Sequence, residues 1–170
     1  MKKYVLLFVF AFSVFANFAQ EKEEEGVTTY YLIRHAEKNR AIKNDKDPVL
    51  TLKGAKRAKH WANVLANANI NLIYSTDYNR TKETAQPLAD KNGLQIYLYD
   101  PRKMYDEAFK YNTKGKNVLI VGHSNTTPAF VNKILGKNKY GQISDDNNSN
   151  LYIVTVTKSG ATSVVLKIDH

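Results

Sequence analysis

A chain of 170 residues has the length of one domain with a proper core, and 43% hydrophobic against 24% charged residues excludes a disordered or fibrous protein. No internal repeat runs through it, which removes a solenoid, and the absence of cysteine removes disulfides, thiol chemistry and a lipid-modified cysteine. A formal charge of +9 favours anionic partners such as phosphorylated compounds, nucleic acid or acidic lipid.

The first nineteen residues differ from all that follow. Lys2 and Lys3 precede an apolar run, Tyr4 to Phe15, broken only by Ser13, and small residues follow at Ala16 and Ala19. This is the layout of a secretory signal peptide over residues 1–19, cut after Ala19 or after Ala16. The run is shorter than the roughly 20 residues a spanning helix needs, so stable membrane insertion after cleavage is not expected. Cleavage removes two lysines and no acid, leaving +7. The expected destination is the periplasm or the exterior. Residues 20–26, with the run Glu21-Lys22-Glu23-Glu24-Glu25, read as an acidic tether, and residues 27–170 as a single domain.

Within that domain the pattern alternates. Val27 to Ile33, β-branched and aromatic, predicts a strand, and Lys53 to Ala68 carries helical spacing through Ala55, Ala58, Trp61, Ala62 and Leu65. A short strand, Leu72 to Tyr74, is followed by a helix from Arg80 to Lys91 that Asn92-Gly93 should stop. Leu94 to Tyr99 predicts a strand and Pro101 to Tyr111 a helix. Val118 to Val121 reads as a strand buried on both faces, and Pro128 to Leu135 as a helix closed by Gly136. Leu151 to Thr157 and Thr162 to Ile168 flank Lys158-Ser159-Gly160 as a hairpin. Strands separated by helices imply an α/β three-layer sandwich, with a mainly parallel central sheet and helices on both faces. The loops Asp45 to Val49 and Lys137 to Asn150 are long and polar enough to shape a pocket.

In such sheets ligands sit beyond the carboxyl ends of the strands. Arg34 and His35 follow the first strand, Arg80 the second, Asp100 the third and His123 the fourth. Two guanidinium forks suit a phosphate dianion, and a neutral imidazole can attack phosphorus. A second histidine can donate to the same oxygens, and a carboxylic acid can protonate the leaving group. Ser124 and Asn125, at the start of a helix, either reach substrate oxygens or cap that helix. Glu37 and Lys38 either contact substrate or form a solvated ion pair. His60 and His170 have no such context.

These positions carry a resemblance. Leu32-Ile33-Arg34-His35-Ala36-Glu37, Leu50-Thr51-Leu52-Lys53-Gly54, the block from Tyr74 to Ala85 and the strand ending in Gly122-His123-Ser124 resemble, in the same order, the motifs of the histidine phosphatase superfamily. The resemblance implies the phosphoglycerate mutase-like fold and the compactness of its small members, such as bacterial phosphohistidine phosphatases. It implies a nucleophile at His35, a clamp of Arg34 and Arg80 completed by His123, and no metal or other cofactor. Glu37 and Ser124 join the candidate substrate-binding residues. The proton donor is expected at Asp100, with Asp106 and Glu107 as alternatives, although Asp100-Pro101 equally reads as an N-cap followed by proline. The implied activity is hydrolysis of a phosphomonoester or phosphoramidate through a phosphohistidine. The implied partner is a small phosphorylated substrate or a phosphoprotein. No long insertion follows Arg80, so the cleft should be open, which disfavours a mutase. A non-catalytic anion binder using the same pocket is the alternative, and nucleic acid is not expected because no basic stripe interleaves with stacking aromatics.

Overall fold

The computed structural model describes residues 26–169; the signal segment 1–19, most of the tether 20–26 and His170 lie outside the described residues. Ten elements follow one another: β1 (Thr28–Arg34), α1 (Leu52–Val64), β2 (Leu72–Ser75), α2 (Asn79–Asn92), β3 (Ile96–Leu98), α3 (Glu107–Thr113), β4 (Asn117–Gly122), α4 (Thr126–Leu135), β5 (Asn150–Thr157) and β6 (Gly160–Lys167). The strands form one sheet in the order β3-β2-β4-β1-β5-β6. The first four are parallel and the terminal hairpin joins antiparallel, as the sequence pattern predicts.

Strand alternation sorts the core into two layers, because successive side chains point to opposite faces. Ile33, Leu119 and Val121 face α1 and α2, meeting Trp61, Leu65, Ala85 and Leu88. Tyr30, Leu32, Val118 and Ile120 face the other way, onto Phe109 of α3 and Phe130 and Val131 of α4. Central strands β1 and β4 are therefore covered on both sides, which is why they read as near-continuous apolar runs.

Local chemistry sets most helix ends. The Thr51 side chain caps α1 by accepting from Gly54 N at 3.0 Å. Gly93 and Gly136 close α2 and α4 in the left-handed conformation. One prediction needs correction. Pro101 to Tyr111 is not a continuous helix: residues 101–105 form turns, Tyr105 takes φ of 56°, and α3 starts at Glu107. The Asp100 carboxylate accepts instead from the Arg102 backbone and guanidinium, a local turn that competes with helix initiation. The working N-cap is Asp106, whose side chain accepts from Phe109 N at 2.8 Å. The expected strand at Leu94 to Tyr99 shortens to Ile96–Leu98 at the edge of the sheet. Among the described residues, no helix is long and apolar enough to cross a membrane.

Candidate active site

Register brings the chemistry together. Arg34 lies opposite Gly122, and Ser75 opposite Val121, so β1, β2 and β4 end at a common level. His35 N donates to Gly122 O at 2.9 Å, extending the ladder one residue beyond β1. His35 and His123 thus leave adjacent strand ends, and their rings lie 5.4 Å apart at 71°.

His35 is fixed at its backbone and its ring. Its carbonyl accepts from Asn148 Nδ2 at 2.7 Å, and its Nδ1 lies 2.7 Å from the carbonyl of Ala36. A carbonyl only accepts, so Nδ1 carries the proton and Nε2 keeps its lone pair. The residue is 3% exposed. Burial, reinforced by the neighbouring Arg34, His123 and Arg80, pushes its pKa down to about 3, so the ring is neutral near pH 7. His123 is pushed down to about 4, by burial first and then by Arg80 and Arg34. Its Nε2 accepts from Arg80 Nη2 at 3.0 Å, since a guanidinium can only donate.

Each arginine of the clamp is anchored by one of the two polar loops. Arg34, 2% exposed, donates from Nη1 to the carbonyls of Ser144 (3.0 Å) and Asn147 (3.3 Å), and Nη2 pairs with Asp145. Arg80 reaches the other loop, with Nη1 3.6 Å from Asp47 Oδ1. Its guanidinium lies 4.3 Å over the Tyr78 ring, which in turn stands edge-on to His123 at 5.0 Å. The Nε–H of both arginines is buried without a hydrogen-bond partner among the described residues.

A cleft of about 490 Å3 opens beside Arg34 and His35. The other expected site residues fare differently. Glu37 lines this cleft, but its carboxylate is held two-pronged by the buried Arg57, with contacts of 2.9–3.0 Å, so it is neither free for substrate nor in a solvated pair with Lys38. Asp100 lines a neighbouring hollow with Thr76 and Tyr78, whose ring packs against Arg80 and His123, and its carboxylate is bound to Arg102. Asp106 is occupied as the α3 cap, and Glu107 shares a hollow with Thr28 and Tyr30, toward the starting end of β1. None of the three expected proton donors lines the cleft beside His35. Ser124 accepts from Ile143 N through its carbonyl, which ties α4's start to the 137–150 loop, while Asn125 supplies the cap.

Several participants escape sequence reasoning. Asn148, Asp145 and Arg40 sit in polar loops without periodicity, and their partners lie more than a hundred residues away along the chain. Thr84 accepts from Ala36 N and donates to Arg80 O, linking the loop after β1 to α2. Gly54 stands so close to the loop after β1 that a Cβ would lie 2.2 Å from Glu37 O. Among the described residues, no group of three or more His, Asp and Glu converges as a metal cage requires.

The family described as "Histidine phosphatase superfamily (branch 1)" matches residues 30–101. "Probable phosphoglycerate mutase GpmB" of Enterobacter sp. (strain 638) is 38% identical over 76 residues, 42% of this chain and 35% of that protein, and its namesake from Escherichia fergusonii matches to the same extent. The match therefore spans about a third of the length of these curated relatives. Among solved structures, the protein histidine phosphatase SixA complexed with tungstate shares the fold with a TM-score of 0.66 at 17% identity, covering 82% of this chain and 96% of that one. The phosphoserine phosphatase mutant from Entamoeba histolytica, with phosphoserine, gives 0.63 at 16% identity, covering 81% and 95%. Motifs thus run in order from Leu32 to Ser124, the match to the histidine phosphatase superfamily spans residues 30–101 and holds the first three of them, and the fold is shared with solved phosphatases.

Proposed function

We propose that the protein is a metal-independent phosphatase that hydrolyses a phosphomonoester or phosphoramidate through a phosphohistidine on His35, acting beyond the inner membrane. One observation carries this reading: the Nδ1–H of His35 is bound to its own loop, at Ala36 O, which leaves a neutral lone pair at Nε2 on a ring that lines the cleft with Arg34 and lies 5.4 Å from the Arg80-bound ring of His123. Nε2 attacks phosphorus, the bond from phosphorus to the leaving oxygen or nitrogen breaks, and its electron pair departs with the leaving group. Water then attacks the phosphohistidine, the P–N bond breaks, and inorganic phosphate leaves with His35 restored. The two guanidinium groups offset charge on the phosphoryl oxygens, and their partnerless Nε–H groups are donors that an anion would complete.

Every carboxylate lining the cleft already has a partner. Glu37 is held by Arg57, Asp145 by Arg34 and Arg40, and Asp146 by the Ser144 hydroxyl. That favours substrates whose leaving group departs without much help from a protein acid, such as phosphoramidates and aryl phosphates.

Phosphate release from para-nitrophenyl phosphate, phosphoramidate and a panel of metabolite phosphates, with a chelator present, tests the reading. Turnover that survives the chelator and disappears in His35→Ala is expected, together with an acid-labile, base-stable phosphoryl label on the wild type. Asp100→Asn is expected to stay within about twofold of the wild type, since its carboxylate faces Arg102. Phosphate binding without any turnover would replace the enzyme by an anion-binding protein.

A further inference from the structure

The cleft beside His35 holds more positive charge than a phosphoryl clamp uses. Lys38, Arg40 and Lys53 all line it, and only Lys53 shares in holding Glu37, at 3.6 Å. Arg40 is 59% exposed and pairs through Nη2 with Asp145 Oδ2, while the other oxygen of that carboxylate pairs with Arg34 Nη2. One carboxylate therefore spans two guanidinium groups, one buried in the clamp and one at the rim. This fixes their separation at the width of a single small anion.

The bridging carboxylate is itself 58% exposed and sits in the irregular loop between α4 and β5. Its backbone neighbours, Ser144 and Asn147, hold Arg34 through their own carbonyls, so Arg34 stays anchored if the Asp145 side chain swings away. The Arg40 half of the bridge is exposed on both sides and screened by salt, and the Arg34 half ends on an exposed carboxylate, so another anion of similar size can take its place.

We infer that Arg34 and Arg40, flanked by Lys38, form a second anion subsite beside the phosphoryl pocket, with the Asp145 carboxylate as an internal stand-in for its ligand. The ligand class is a small phosphorylated compound carrying a second carboxylate or phosphate close to the scissile phosphoryl group. The second group displaces Asp145, bridges the two guanidinium groups in its place, and so positions the phosphoryl group at His35. This assignment rests on the phosphatase reading for what happens at His35, but not for binding itself.

Equilibrium binding measured by calorimetry separates the two. Phosphoglycolate and ethyl phosphate match in size and differ by one carboxylate. The wild type is expected to prefer phosphoglycolate by about tenfold or more. Arg40→Ala should bring that ratio close to one, and Arg40→Lys should recover part of it as a point charge without the planar fork. Asp145→Asn should widen the ratio by removing the competing carboxylate. A ratio unchanged in Arg40→Ala, or insensitive to Asp145→Asn, would overturn the subsite. If both binding ratios behave as expected while no substrate is turned over, the subsite stands and the phosphatase reading falls.

Discussion

A single proton decides which ring nitrogen of His35 keeps a free lone pair: it sits on Nδ1, directed at the Ala36 carbonyl, and leaves Nε2 bare. Burial keeps both site imidazoles neutral, and this has a measurable consequence for stability. Their pKa values fall from 6.5 to about 3 for His35 and about 4 for His123 on folding. Between those values and 6.5 the unfolded chain binds more protons, so stability drops as pH falls through this window, by about 1.4 kcal/mol per pH unit for each ring. Urea unfolding from pH 7 to pH 4 should show that slope, and a His35→Asn/His123→Asn double variant should flatten it. The same linkage has an opposite face in binding. An anion between the rings favours their protonated forms, so affinity for sulfate, a dianion throughout, should rise as pH falls from 7 to 5. Loss of that rise in His123→Gln, measured by calorimetry, would assign it to this ring. Glu37 belongs to stability more than to chemistry. Glu37→Ala leaves the buried Arg57 cation uncompensated and should cost about 3 kcal/mol, whereas the apolar pair Glu37→Leu/Arg57→Met should cost less than the single change, by denaturant midpoint.

At the level of elements, the site is a matter of strand ends held level and helices started close to them. The loop after β1 is pinned to α1 by Thr51, whose N–H donates to Glu37 O at 2.9 Å, and to α2 by the Thr84 hydroxyl. Gly54→Ala would drive a Cβ into that loop and should cost about 3 kcal/mol as α1 shifts. Thr84→Val leaves Ala36 N–H buried without an acceptor and should cost about 2 kcal/mol, most of it recovered in Thr84→Ser, by thermal or urea unfolding. These elements also mark what a sequence can reveal. Strand β4 is readable because burial on both faces leaves the apolar run Val118 to Val121, and β1 from its β-branched and aromatic residues running into Arg34. Helix α2 was readable from its Gly93 stop. Helix α3 was misplaced by six residues because Asp100-Pro101 and Asp106 offer the same capping chemistry, and the Arg102 side chain decides between them. The gathering of His35, Arg80 and His123 at the strand ends beside Arg34 is legible from motif and position. Arg40, Asp145 and Asn148 are not, since an ion pair between two irregular loops leaves no periodic trace in either.

For the molecule as a whole, the formal charge of +9 becomes local at the cleft, where Lys38, Arg40 and Lys53 gather beside His35. A field of this sign steers dianionic substrates inward and is screened by salt. The kcat/KM for a phosphate ester should therefore fall by about fivefold between 0.05 and 0.5 M sodium chloride, with kcat nearly constant. The same view of the whole chain changes the meaning of the bond from Asn148 to the His35 carbonyl, which joins residues 113 positions apart. Arg34 likewise awaits Ser144, Asp145 and Asn147. All four motifs are complete by Ser124, so a chain still emerging from the ribosome has Arg34, His35, Arg80 and His123 before it has the loop that sets two of them. The arrangement of Arg34 and His35 is therefore complete only once synthesis and folding have reached β5.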